Sequence, residues 1–204
     1  MKKLSLNFYF FSIVALAVST VTFVGCTKNN NTNDQTGVQS VIANWPATSK
    51  KVAEEMIAKY GQPGGSTTDM LVWNNNAPWK RTIVYRDTVA HNFPTPHPDL
   101  LEQFIDYKVP VDKYSMMAAY DGSVIVERTK GEISARCDKE GANLLAINLA
   151  NDVATGAKTA DAARAYYTQA MQKFITTGQM DPYMQGFKFT VPTSGTKDPD
   201  VKNF

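Results

Sequence analysis

Cysteine and histidine are the scarce residues here: of 204 positions, two are cysteine and two are histidine. With Cys26 and Cys137 alone no disulfide framework can staple the fold, which must stand on its own core. With His91 and His97 alone, imidazole chemistry has few places to go. Charge of one sign is scarce as well. Lys+Arg 21 against Asp+Glu 19 leaves a formal +2, without the clustered basic footprint that nucleic-acid binding needs. No nucleic-acid partner is expected. The chain has no Gly-x-Ser-x-Gly elbow, no Gly-rich phosphate loop, no His-Glu-x-x-His and no Cys–His pairing motif. It also shows no internal repeat and no second domain.

One uncharged apolar run is present, FYFFSIVALAVSTVTFV from Phe8 to Val24, after Lys2 and Lys3 and before Gly25-Cys26. A basic start, an apolar stretch and small residues at its end are the marks of a secretory signal. The Val24-Gly25-Cys26 ending resembles the lipobox of bacterial lipoproteins, although Phe23 stands where Leu is commonest. The resemblance covers residues 1–26 and implies that residues 1–25 are removed. It further implies that Cys26 is lipidated, and that the mature chain is carried in the cell envelope by a lipid anchor in a membrane. The alternative is an uncleaved spanning anchor, since the run is close to spanning length. The TKNNNTNDQTG that follows is polar and Asn-rich, and residues 26–39 read as a flexible tether. Residues 1–25 hold two lysines and no acid, so the mature chain carries 19 charges of each sign and is formally neutral.

Residues 40–191 read as one domain, and residues 192–204 as a disordered tail. The domain is long enough to bury ~70% of its unfolded surface. A helix is expected over 47–60, capped by Thr48 or Ser49 and ended by Gly61 and Pro63. LVW (71–73) and WKRTIVYRD (79–87) read as a hairpin with a wide turn. A Pro-rich passage, 91–99, leads to a short helix at about 98–107, with Leu100, Leu101, Phe104 and Ile105 inward. Residues 114–136 read as three strands joined by Asp121-Gly122 and Lys130-Gly131. Their core face would hold Met117, Ala119, Val124, Val126, Ile133 and Ala135. Helices follow over 138–155 and over 160–177, the second capped by Thr159 and stopped by Gly178. FKFTV (187–191) alternates like an edge strand. The class is α+β, a mostly antiparallel sheet of about five strands against three to four helices.

Three groups of residues could carry chemistry. His91, His97 and Asp99 could offer two imidazoles and a carboxylate to zinc, which takes N and O ligands; the bland alternative has His97 capping a helix that starts at Pro98. Arg136, Glu140 and Asn143 fall on one stripe of an extrapolated helix, as a binding group or as a structural network with an Arg136–Glu140 pair. Trp79 and Arg81, with Trp73, Lys80, Tyr85 and Arg86, crowd the first hairpin, where aromatic rings beside guanidinium groups suit sugars or anions. Cys137 reads as a buried thiol. The leading expectation is an envelope lipoprotein that binds a small ligand, glycan or partner protein, without a cofactor. The runner-up is a metal-dependent hydrolase using His91, His97 and either Asp99 or Glu140, zinc being the metal considered.

Overall fold

In the computed structural model, which describes residues 32–204, the chain enters as a helix, α1 (Thr32–Ile42). The expected signal segment, Cys26 and residues 27–31 lie outside the described residues. Helix α1 begins inside the stretch read as a tether, and the reason lies at its far end. Val38 and Ile42, one helical turn apart, are buried against Trp45 and against Val52 and Met56 of α2 (Ala47–Tyr60). Helix α2 takes its first-turn position from Pro46 rather than from a Thr48 or Ser49 cap; the buried Ser49 hydroxyl instead donates to the Arg86 carbonyl at 2.7 Å.

Six antiparallel strands make one sheet: β1 (Gly65–Ser66), β2 (Met70–Asn74), β3 (Arg81–His91), β4 (His97–Asp106), β5 (Val124–Glu127) and β6 (Glu132–Cys137), in the order β1-β2-β3-β4-β6-β5. Leu71, Val84, Leu101 and Cys137 are successive cross-strand partners, so they form one row on one face. The first three pack in the α2 cluster, and Cys137 packs with α4 (Glu140–Thr155) and α5 (Ala160–Thr177). Alternation of side chains puts the next row, Val72, Ile83, Glu102 and Arg136, on the face turned away from these helices. The α+β class and the antiparallel sheet are as expected, as are α2, the β2–β3 hairpin and the last two helices. The Thr159 hydroxyl accepts from Ala162 N, and Gly178 ends α5 in the left-handed region.

Three elements differ from expectation. Residues 98–107 are not helical: residues 98–106 lie in β4, which pairs with β3 on one side and β6 on the other. The β3–β4 register shifts between Val84 and Val89, and Leu100 and Leu101 are both fully buried there. That local loss of period two imitates the i, i+1, i+4, i+5 spacing of a helix. Residues 114–120 form α3 (Tyr114–Tyr120) rather than a strand, burying Met117 and Tyr120, three apart, and Asp121-Gly122 follows this helix instead of turning a hairpin. The β5–β6 loop has four residues, 128–131, since Glu127 pairs with Glu132. The register therefore slides by two relative to a Lys130-Gly131 turn, and an even slide keeps Val124, Val126, Ile133 and Ala135 on one face.

FKFTV joins no ladder. Phe187 packs edge-on to Trp79 (centroids 5.1 Å) and Phe189 edge-on to Tyr107 (5.6 Å), while Lys188 N donates to Asn148 Oδ1 at 2.7 Å. Residues 192–204 form neither helix nor strand, yet Thr196 is buried and Arg128 Nη1 lies 3.3 Å from Asp198.

Candidate metal centre

The spacing His91-x5-His97 has a geometric cause. Residues 92–96 are the loop of the β3–β4 hairpin, and His91 and His97 are its closing cross-strand pair. Directly opposed residues share a face, and Asp99, two positions on, shares it too. The loop is pinned to α5 through Phe93, which packs on Tyr167 (centroids 5.2 Å) with the Arg164 guanidinium 3.8 Å over its ring.

The two imidazoles lie 5.0 Å apart between centroids. His91 Nδ1 is 3.4 Å from Asp99 Oδ2, and His97 Nε2 is 3.3 Å from Asp99 Oδ1. One ligand atom from each of the three residues falls in a group no wider than 4.8 Å. Zinc–ligand bonds of about 2.0–2.2 Å imply tetrahedral edges of about 3.4 Å. The two contacts to the carboxylate have about that length but reach different oxygens, so binding through a single oxygen requires one of them to shift.

His97 is held at its far nitrogen by a hydrogen bond, and His91 has only a longer contact there. His97 Nδ1 lies 2.8 Å from the Thr95 carbonyl, which can only accept, and His91 Nε2 lies 3.7 Å from Asp121 Oδ1. With a metal bound, a proton on each far nitrogen would leave the near one free as a ligand, the arrangement by which metal-binding histidines are oriented; without the metal, His97 carries a proton toward Asp99. Asp99 is 1% exposed, and its Oδ1 makes no hydrogen bond. A buried carboxylate oxygen in that state is costly unless a cation serves it, and a protonated His97, its Nε2 3.3 Å away, is one such cation. The Ser123 hydroxyl donates to Asp99 Oδ2, and Arg136 Nε stands 3.9 Å from the same oxygen with no partner of its own. The residues could hold a metal ion through three protein ligands. Asp99, and then the Cys137 thiol, push His97 up to about 11, so a proton and a metal compete for this place. Burial raises Asp121 above the usual carboxyl range and the Cys137 thiol above its own.

The other expected groups come apart. Helix α4 starts at Glu140, so Arg136 sits in β6 rather than on a common helical stripe, and the Arg136–Glu140 pair does not form. Arg136 joins the His–Asp cluster, whereas Glu140 turns to Lys59, Tyr60 and Trp79. Asn143 Nδ2 donates to the Leu101 carbonyl (2.9 Å) and to Gln103 Oε1 (3.1 Å), a link between helix and sheet. Trp73 and Trp79 are buried and offer no platform to a sugar, and Arg81 is engaged by Glu132 at 2.7 Å and by the Phe104 ring at 3.9 Å. His97 caps no helix. Sequence reasoning missed Asp121, Ser123 and the approach of Cys137 to His97. Asp121-Gly122 was read as a hairpin turn, although an Asp two residues before Ser is equally an Asx turn, and here Ser123 N donates to Asp121 Oδ1 at 2.8 Å.

Fold and site together define an α+β domain with a candidate His–His–Asp metal centre at the end of its sheet. No known family, no curated protein and no solved structure matches the chain.

Proposed function

We propose that this chain is an exported envelope lipoprotein, tethered to a membrane by lipid on Cys26, whose folded domain binds one divalent metal ion, zinc foremost, through His91 Nδ1, His97 Nε2 and Asp99. The observation that carries the metal assignment is the pairing of near and far nitrogens. Each near nitrogen lies within 3.4 Å of an oxygen of one buried carboxylate, while the far nitrogens face the Thr95 carbonyl and, at 3.7 Å, the Asp121 carboxyl. A protein of this kind is a ligand-binding module whose ligand is the metal itself or a molecule held through it.

A metal-dependent hydrolase is the second reading. It is favoured by a ligand set that stops at three, the count typical of catalytic zinc, and by the unpartnered Arg136 Nε beside Asp99, placed to meet developing negative charge. In that reading the carboxylate is Asp99, since Glu140 is committed elsewhere.

Equilibrium dialysis of the full chain against zinc, followed by metal analysis, tests the assignment. One zinc per chain is expected, falling to background in His91→Ala and in Asp99→Asn. A wild-type chain that retains no zinc sinks the assignment.

A further inference from the structure

Two cavities lie between the 94–98 loop and the C-terminal half of α5. One of about 340 Å³ and one of about 280 Å³ share Pro94, Thr95, Met171 and Ile175 as lining. They are therefore parts of a single trough, at the lower end of the ~300–1,000 Å³ usual for small-molecule sites. Its two ends differ in chemistry. The outer end runs past Ile175, a large apolar side chain left 61% exposed. The inner end is bordered by Phe174, Cys137, Asp138, Lys139 and His97, the one member of the metal centre that reaches it. A channel with an apolar outer wall and a polar inner end beside a metal ligand selects a molecule with an apolar stem and a Lewis-basic head.

We propose that this trough seats the alkyl chain of a small monocarboxylate, with its head at the open position of the metal centre beside His97. The proposal names the ligand class of that centre and rests on the metal reading above. The stem lies against Met171, Ile175 and Pro94, and each methylene so buried strengthens binding about fourfold. The head completes the ligand set that His91, His97 and Asp99 leave unfinished.

Cobalt(II) supplies a visible spectrum where zinc, a closed-shell ion, has none. The full chain, held in phosphatidylcholine nanodiscs with empty discs subtracted, is loaded with cobalt and titrated with hexanoate or acetate. Hexanoate should change the cobalt band saturably, at concentrations at least tenfold below those acetate requires. Ile175→Asp puts a charge in the wall at an exposed position, and Thr168→Trp, also at an exposed lining position, fills the trough. Both should bind cobalt as the wild type does and lose hexanoate affinity at least tenfold. Cobalt uptake with no response to hexanoate overturns the proposal and leaves the metal centre standing. So does an equal response to both acids, or indifference to both substitutions. Failure to take up cobalt overturns the metal reading itself, and the ligand class falls with it.

Discussion

Glu140 accepts three hydrogen bonds at once, from Lys59 Nζ at 2.6 Å, from Trp79 Nε1 at 2.6 Å and from the Tyr60 hydroxyl. Two of these donors belong to α2 and one precedes β3, so a single carboxylate at the start of α4 ties both regions to that helix. Glu140→Gln keeps the shape and removes the charge. The loss should be ~1–3 kcal/mol, the range for hydrogen bonds to a charged group with one exposed partner discounted, and a thermal melt will read it. Zinc binding should be unchanged in this variant. A full-sized melting temperature with impaired zinc binding would return Glu140 to the metal centre. The same residue sets an acid limit. Burial alone would raise its carboxyl, but the bonds from Lys59, Tyr60 and Trp79 outweigh that and hold it below the usual 4.5. Glu132 is likewise held low, burial being outweighed by Arg81 and then Lys80. A carboxyl whose folded value is depressed contributes stability that is complete above the unfolded value and is lost as pH falls through the folded one. Melting temperature should therefore fall with pH below about 4.5, and Glu140→Gln should flatten that part of the curve.

Between elements, the tightest fit is at the β5–β6 loop. Gly131 has φ +64°, and a β-carbon there would run into the backbone carbonyl of Thr196. Gly131→Ala meets both a left-handed backbone and an occupied space, so it should cost more than ~1 kcal/mol. Denaturant unfolding will show the lower midpoint, and limited proteolysis should cut residues 192–204 faster. Unchanged cleavage would mean that the tail does not depend on this contact. Elements with one strong signal were legible in the sequence: α5 by its Thr159 cap and Gly178 stop, α2 by its apolar stripe, and β2 and β3 by alternation. Those governed by their neighbours were not. Residues 98–105 carry a helical spacing because a register shift in the partner strand lets Leu100 and Leu101 bury together, and no local pattern records a partner's shift. Residues 114–120 lost their helix to the turn signal of Asp121-Gly122. The metal candidates were legible by residue type, His being so scarce. Their geometric reason was hidden because the loop between them was joined to a helix that does not form. Once 92–96 is a hairpin loop, His91 opposite His97 and Asp99 two further on follow from strand geometry alone. Asp121 and Ser123 come from a distant stretch of chain and could be placed only by the β5–β6–β4 pairing.

At the scale of the whole molecule, the proposed function turns on where the domain is carried, and the lipoprotein reading rests that on one residue. If residues 1–25 are removed and Cys26 is lipidated, residues 27–31 separate the lipidated cysteine from Thr32, where helix α1 starts. Among the described residues no helix is long and apolar enough to cross a membrane. A spanning-helix anchor would place the membrane hold in the Phe8–Val24 run, and the lipoprotein reading places it in the lipid. The two mechanisms respond oppositely to one substitution. Lipid modification requires the Cys26 thiol, and a serine hydroxyl cannot replace it, so Cys26→Ser should abolish labelling by a fatty-acid probe and shift the chain out of the membrane fraction. A spanning anchor owes nothing to that thiol, and the variant would fractionate as before with residues 1–25 still attached. Fractionation combined with mass measurement of the N-terminus distinguishes the two. Retention in membranes together with the uncleaved mass would replace the lipoprotein reading with a spanning anchor, while leaving the His91–His97–Asp99 centre to be judged on its own metal content.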